Sequence, residues 1–331
     1  MVSAAGSSTD ALLGAADGGS VRAIARLLSR IEAGGDSAAE VAAALTGRPR
    51  GAAITGLTGP PGVGKSTLTT EMVTRLRSAG RRVAVLAVDP SSPFSGGALL
   101  GDRVRMAEHA TDPGVYIRSM SSRGELGGLS AAAPAAADLF SAIGFDDVLV
   151  ETVGVGQNEI AVMRLADSVV VVLAPGMGDG IQAAKAGILE IADILVVNKA
   201  DHDGASGTVR DLKGMLALGR TTGPTSAGAH RWRVPVLSTV ASKGSGVDEL
   251  LAATAAHRDH LDAGGGRTAR RHLRAEVAVQ AVVLERVLAA LGSPSGLEQL
   301  AAAARPVAEG RTDHHRAAEQ VLEWLGPRST S

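Results

Sequence analysis

The chain has 331 residues, enough for one large core or for a core flanked by smaller helical pieces, and its 33 Lys plus Arg against 34 Asp plus Glu leave no basic excess for sequence-independent nucleic-acid binding. Cysteine is absent, which excludes disulfides, thiolate catalysis and cysteine-based metal sites. No apolar run reaches the roughly 18 to 20 residues of a membrane span, and the first residues lack the basic-then-apolar layout of a signal peptide, so a cytoplasmic protein is expected.

In chain order, residues 1–19 read as a frayed leader and residues 20–45 as one or two amphipathic helices. Short apolar runs follow at 52–57, 83–88, 115–117, 148–150, 169–173, 194–197 and 234–237, and their length and overall valine content suit buried strands in a largely parallel sheet. Between them Leu68, Met72 and Leu76 recur four apart, and residues 181–191 and 247–257 supply further crossover helices. The alternation predicts an α/β fold with a mostly parallel doubly wound sheet and ligand loops at the strand C-terminal ends. After Gly264, Gly265 and Gly266 the pattern becomes an arginine-studded helix over 267–291, with Val277, Leu284 and Leu288 in its apolar stripe, then shorter helices to Trp324. The expected division is an N-terminal helical extension over 1–48, the α/β domain over 49–262 and a C-terminal helical arm over 263–331. That arm reads either as a dimerisation device or as a lid on its own core.

Residues 59–67, Gly59-Pro60-Pro61-Gly62-Val63-Gly64-Lys65-Ser66-Thr67, have the spacing of a phosphate-binding loop and lie between a predicted strand and a predicted helix. Glycines let the backbone turn its amides around phosphates, and the following helix N-terminus adds its dipole. Lys65 is expected to bind the β and γ oxygens as a point charge, and Ser66 to ligate Mg²⁺. Only five lysines occur in the chain, Lys65, Lys185, Lys199, Lys213 and Lys243, and two of them fall inside nucleotide motifs.

Asn198-Lys199-Ala200-Asp201 ends the apolar run 194–197 and suits guanine. A carboxylate at Asp201 can accept from guanine N1–H and the 2-amino group, whereas adenine would leave it unpaired. Lys199 can lay its methylene stem along the base. Val240 and Ala241, in Val240-Ala241-Ser242-Lys243, occupy the place of a third base-binding loop. Asp89 and Glu151 end strand-like runs facing the phosphate loop, and with Asp102 on an intervening loop they are candidate ligands of Mg²⁺, directly or through water. Glu151-Thr152-Val153-Gly154 also has the shape of a γ-phosphate-sensing switch, with the Gly154 amide as the sensor. Val155 follows, where Ras-type GTPases carry a water-orienting Gln, so slow basal turnover accelerated by a partner is expected.

Taken together, VLAVDPSSPFSGGALLGDRVRM (85–106), ETVGVGQNE (151–159), APGMGDGIQAAKAGILEIADILVVNKAD (174–201) and the phosphate loop resemble the methylmalonyl-CoA mutase-associated GTPase family, the MeaB or ArgK type of G-protein chaperone, over nearly everything from about Arg22 to Leu291. The resemblance implies a homodimer held by the C-terminal arm, with GTP or GDP as bound nucleotide and an adenosylcobalamin-dependent acyl-CoA mutase as client. It implies that GTP hydrolysis gates cofactor loading and protects or rescues that mutase. It also implies that Asp89, Asp102 and Glu151 surround Mg²⁺, that residues 176–185 form a loop signalling to the partner, and that Lys185 is an electrostatic catalyst on that loop or a surface lysine. Two departures stand out: Asn158 where Ser is expected, and Val240 in place of the usual Ser before Ala241. The competing readings are a nickel-inserting GTPase of the hydrogenase or urease maturation kind, for which only His314 and His315 cluster, a kinase acting on a transport protein, and a nucleotide-responsive scaffold with negligible hydrolysis.

Overall fold

The computed structural model describes residues 8–90, 107–109, 111–122, 132–152, 165–176, 191–219 and 232–326. Seven parallel strands form one sheet in the order β3-β2-β4-β1-β5-β6-β7. They are β1 (Ala53–Thr58), β2 (Val83–Pro90), β3 (Val115–Ser122), β4 (Asp147–Thr152), β5 (Ser168–Leu173), β6 (Ile194–Val197) and β7 (Val236–Ser238). β1 lies at the centre, and the chain leaves it for β2 on one side and later returns to β5 on the other. That reversal opens a crevice at the C-terminal edge, where ligands bind in open α/β sheets.

Period-two alternation sends neighbouring strand residues to opposite faces. Ala84, Leu86 and Val88 join one core cluster, while Val83 and Val85 join the other. The first cluster is covered by α1 (Thr9–Asp17), α2 (Val21–Ala33), α3 (Gly35–Ala44), α5 (Ala132–Ala142) and α6 (Ala205–Gly219), the second by α4 (Lys65–Ser78) and α7 (Val247–Ala263). Few aromatics are available, and Tyr116, Phe140 and Phe145 stack in a row with centroids 5.5 and 5.1 Å apart.

Two expectations need correction. The frayed leader is in part helix α1: Ser8 caps it by accepting from the Ala11 amide at 3.2 Å, and Leu12, Leu13 and Ala16 are buried. The apolar face of this short helix is what holds it down. The last strand starts at Val236 and not at Val234, with Pro235 contributing only its carbonyl, to the Leu195 amide at 2.9 Å.

Beyond Gly264, α8 (Gly266–Gly292), α9 (Pro294–Ala308) and α10 (His314–Leu325) follow. The chain divides into two compact units, Met1–Glu276 and Val277–Ser331, with the division inside α8. Within the first unit, Arg270 and Arg274 of α8 donate to Asp167 O and Leu165 O at 2.7 and 3.0 Å. The second unit has its own small core of Ala303, Ala317 and Val321, while Val279, Val283, Leu284 and Leu288 of α8 stay exposed. No helix among the described residues is long and apolar enough to cross a membrane.

Candidate functional site

The loop after β1 needs glycine for steric reasons. Gly59, Gly62 and Gly64 adopt φ of 141°, 79° and 92°. A Cβ at Gly59 would lie 2.0 Å from the Val172 carbonyl oxygen, and one at Gly64 2.5 Å from Asn198 Nδ2. Gly64 then opens α4 with no side-chain cap, leaving that helix's first amides to the loop. Lys65 is buried and donates from Nζ to Gly59 O at 2.7 Å and Pro60 O at 3.0 Å. Carbonyls of the loop thus keep the ammonium beside the turn, where incoming phosphate oxygens would compete for it.

β4 runs beside β1 with Leu57 opposite Glu151, so register alone delivers the carboxylate to the start of α4. Ser66 Oγ donates to Glu151 Oε1 at 2.7 Å, and Thr69 Oγ1 to Oε2 at 3.0 Å; all three residues are buried. Ser66 and Glu151 present hard oxygen atoms, the donor type that suits a magnesium ion. Asp89 is the penultimate residue of β2, at the same edge of the sheet. Asp102, Gly154 and Lys185 lie outside the described residues, as does Asn158.

The base-side loops are tied to the phosphate loop through one buried amide. Asn198 Nδ2 donates to Val63 O at 2.9 Å, and its Oδ1 accepts from Thr239 Oγ1 and from the Ala241 amide, both at 3.0 Å. Ala241 therefore meets Asn198 directly, and Val240 pairs with Ser245 across the mouth of its turn. Lys199 is the one non-glycine with left-handed φ, 56°, among the described residues, and its Nζ donates to Gly62 O at 2.8 Å. Asp201 is more exposed and accepts from Lys243 Nζ at 2.8 Å, a hydrogen bond that holds its carboxyl below the usual carboxylate range. The phosphate loop, Glu151, Asn198, Lys199 and Asp201 are thus joined at one edge of the sheet, from segments about 140 residues apart in sequence at the extremes.

Sequence reading missed Thr69, Thr239 and the Lys243 contact. Helical spacing carries a faint signal for Thr69, one turn beyond Ser66 on the same face of α4. Thr239 carries none. A cavity of about 170 Å³, lined among others by Met72, Arg81, Asp147, Ser168 and Arg258, sits at the other end of the sheet and contains no motif residue. His314 and His315, with ring centroids 4.5 Å apart, belong to the first turn of α10 in the second unit, where Asp313 caps the helix.

Comparison with known proteins agrees with this geometry. A family model described as methylmalonyl Co-A mutase-associated GTPase MeaB matches residues 21–294. A Pyrococcus abyssi protein named as a GTPase is 41% identical over 307 residues, 93% of this chain and 94% of its own length. The mouse methylmalonic aciduria type A homolog, mitochondrial, is 37% identical over 277 residues, 82% of this chain and 65% of its own length. Among solved structures, one described as LAO/AO transport system kinase superposes with a TM-score of 0.68 at 24% identity, over 97% of this chain and 99% of that one, which bears on the fold alone.

Proposed function

Since the chain belongs to the methylmalonyl-CoA mutase-associated GTPase MeaB family and is a P-loop GTPase, we propose that it is a cytoplasmic, homodimeric G-protein chaperone whose client is an adenosylcobalamin-dependent acyl-CoA mutase of the methylmalonyl-CoA mutase type. Hydrolysis of GTP to GDP and phosphate is the switch that gates cofactor loading and protects or reactivates the client. The client reading follows from the family description and from the name of the mouse relative. The dimer reading draws on the exposed Val279, Val283, Leu284 and Leu288 of α8, an unpartnered aliphatic run.

The observation that carries the nucleotide reading is the meeting, at one edge of the sheet, of Lys65 on the phosphate-loop carbonyls, Ser66 on Glu151, and Asn198 and Lys199 on Val63 O and Gly62 O. Incoming β and γ oxygens replace the Gly59 and Pro60 carbonyls on Lys65, and the N–H groups of Gly62, Val63, Gly64, Lys65 and Ser66 wrap the phosphates, while Pro61, which has no N–H, contributes only to the loop's shape. Thr67, next after Ser66 in the first turn of α4, offers its amide to the phosphates. Ser66, Asp89, Asp102 and Glu151 hold magnesium, which supplies neutralisation of the charge that develops on the transferred phosphoryl group. Asp201 exchanges its bond to Lys243 for guanine N1–H and the 2-amino group, and Lys199 lays its stem on the base. Asn198, braced by Ala241 and Thr239, keeps the base loops in step with the phosphate loop. The Gly154 amide senses the γ-phosphate, and Lys185 assists charge stabilisation when the client is bound.

Single-turnover GTP hydrolysis, measured with and without a purified cobalamin-dependent acyl-CoA mutase, tests the reading. Acceleration by the mutase together with co-elution of the two proteins supports it. Equal rates with and without mutase, and no co-elution, overturn the client assignment while leaving the GTPase intact.

A further inference from the structure

We propose that Thr69 is a positioning residue for the magnesium-binding oxygen of Ser66, acting through Glu151. The inference rests on the reading above that Ser66 meets a divalent cation. A serine hydroxyl has one hydrogen, and here it goes to Glu151 Oε1 at 2.7 Å, which turns the oxygen lone pairs away from the carboxylate, the orientation that metal ligation requires. That orientation holds only while the carboxylate keeps one rotation about its terminal bond, a torsion that is intrinsically broad. Thr69 Oγ1 reaches the second oxygen, Oε2, at 3.0 Å. Two hydroxyls one helical turn apart on α4 therefore hold the two oxygens of one carboxylate delivered by β4.

The Thr69 hydroxyl has a second acceptor, Lys65 O, also at 3.0 Å. Its single proton is shared between that carbonyl and Glu151 Oε2. Thr69 is fully buried, so water does not stand in for the lost donor when it is removed. Its neighbour Thr70 makes only the helical back-bond, to Ser66 O at 2.9 Å, and serves as a matched control.

The test uses the full-length protein and measures release of a fluorescent GDP as a function of Mg²⁺ concentration, with affinity in EDTA measured separately. Thr69→Val keeps the shape and deletes the donor. It is expected to raise the Mg²⁺ concentration for half-maximal slowing of release about tenfold, the scale for losing a partner behind a metal ligand. Thr69→Ser restores the wild-type value to within about threefold, because the hydroxyl alone is required. Thr70→Val leaves the Mg²⁺ response unchanged, and all variants keep the wild-type GDP affinity in EDTA. Thr69→Ala makes the same comparison if valine perturbs folding. An unchanged Mg²⁺ response in the valine and alanine variants overturns the proposal, as does failure of serine to restore it. Wild-type release that is indifferent to Mg²⁺ overturns the magnesium reading itself and takes the role of Thr69 with it.

Discussion

The two ends of the same parallel sheet carry buried polar networks of opposite character. At the C-terminal edge the groups are hydroxyls, amides, a lysine on backbone carbonyls and one carboxylate, linked by bonds that a ligand can exchange. At the N-terminal edge the carboxylates are closed by the chain's own cations. Asp193 accepts from both Nη atoms of Arg270 at 2.7 Å and from the Val169 amide at 2.8 Å, and lies 3.3 Å from His257 Nε2. His257 in turn meets Ser168 Oγ at 2.8 Å, and the Trp232 indole donates to Asp193 O at 2.8 Å. Ser168, His257 and Asp193 have the composition of a hydrolase triad, yet His257 is buried, packs against Trp232 and lies between Ser168 and an aspartate already matched by Arg270. A buried polar cluster marks a ligand site when its bonds are to groups that can be replaced, and a structural lock when opposite charges are already matched.

The comparison is broken most severely at Asp193. Asp193→Ala strands Arg270 and His257 and is expected to cost about 3 to 5 kcal/mol in urea unfolding, with GTP affinity of the folded protein unchanged. Burial alone pushes the Asp193 carboxyl up, but hydrogen bonds from His257 and Arg270 outweigh it and hold it below its ordinary value. A carboxyl depressed in the folded state stabilises fully above its unfolded value near ~4, and loses that contribution as pH falls through the lower folded value. Unfolding at stepped pH should therefore show an acid-side decline in the wild type that Asp193→Ala flattens.

At the ligand edge the effects move to binding. Asp201→Asn removes the acceptor pair for guanine and should shrink the GTP-over-ATP preference by about 100-fold or more, read by competition of ATP against labelled GTP, with little change in unfolding. Lys65→Ala should weaken GTP binding by roughly 10- to 100-fold, the range for one charge-assisted bond to phosphate, measured by calorimetry. A loss of stability in Lys65→Ala as large as that of Asp193→Ala would erase the distinction between the two edges. Arg48→Ala sets the lower limit: its pair with Asp17, 2.8 Å apart and partly exposed, should contribute under about 1 kcal/mol to unfolding and nothing to nucleotide affinity.

Much of the ligand edge was legible because its residues are contiguous. Gly59 to Thr67 and Asn198 to Asp201 are short local motifs whose spacing is dictated by the backbone turn they make, and short apolar runs placed them at strand ends. The lock at the other edge was not legible. Asp167, Asp193, His257 and Arg270 are ordinary charged or polar residues scattered over some hundred positions. The arginine-studded helix α8 reads from sequence as a dimerisation device or a lid, and nothing in that pattern marks Arg270 and Arg274 as the residues that clasp the strand beginnings within the first unit.

By itself the amino-acid sequence determined the fold class, the phosphate loop and the guanine motif, since each depends on periodicity or on residues adjacent in the chain. Tertiary structure alone decided that Glu151 is shared by Ser66 and Thr69, that Asn198 braces three loops, and which acids are sealed by arginine. The physical reason is that parallel strand register brings distant segments to one edge, and hydrogen bonds reach about 3 Å whatever the separation along the chain.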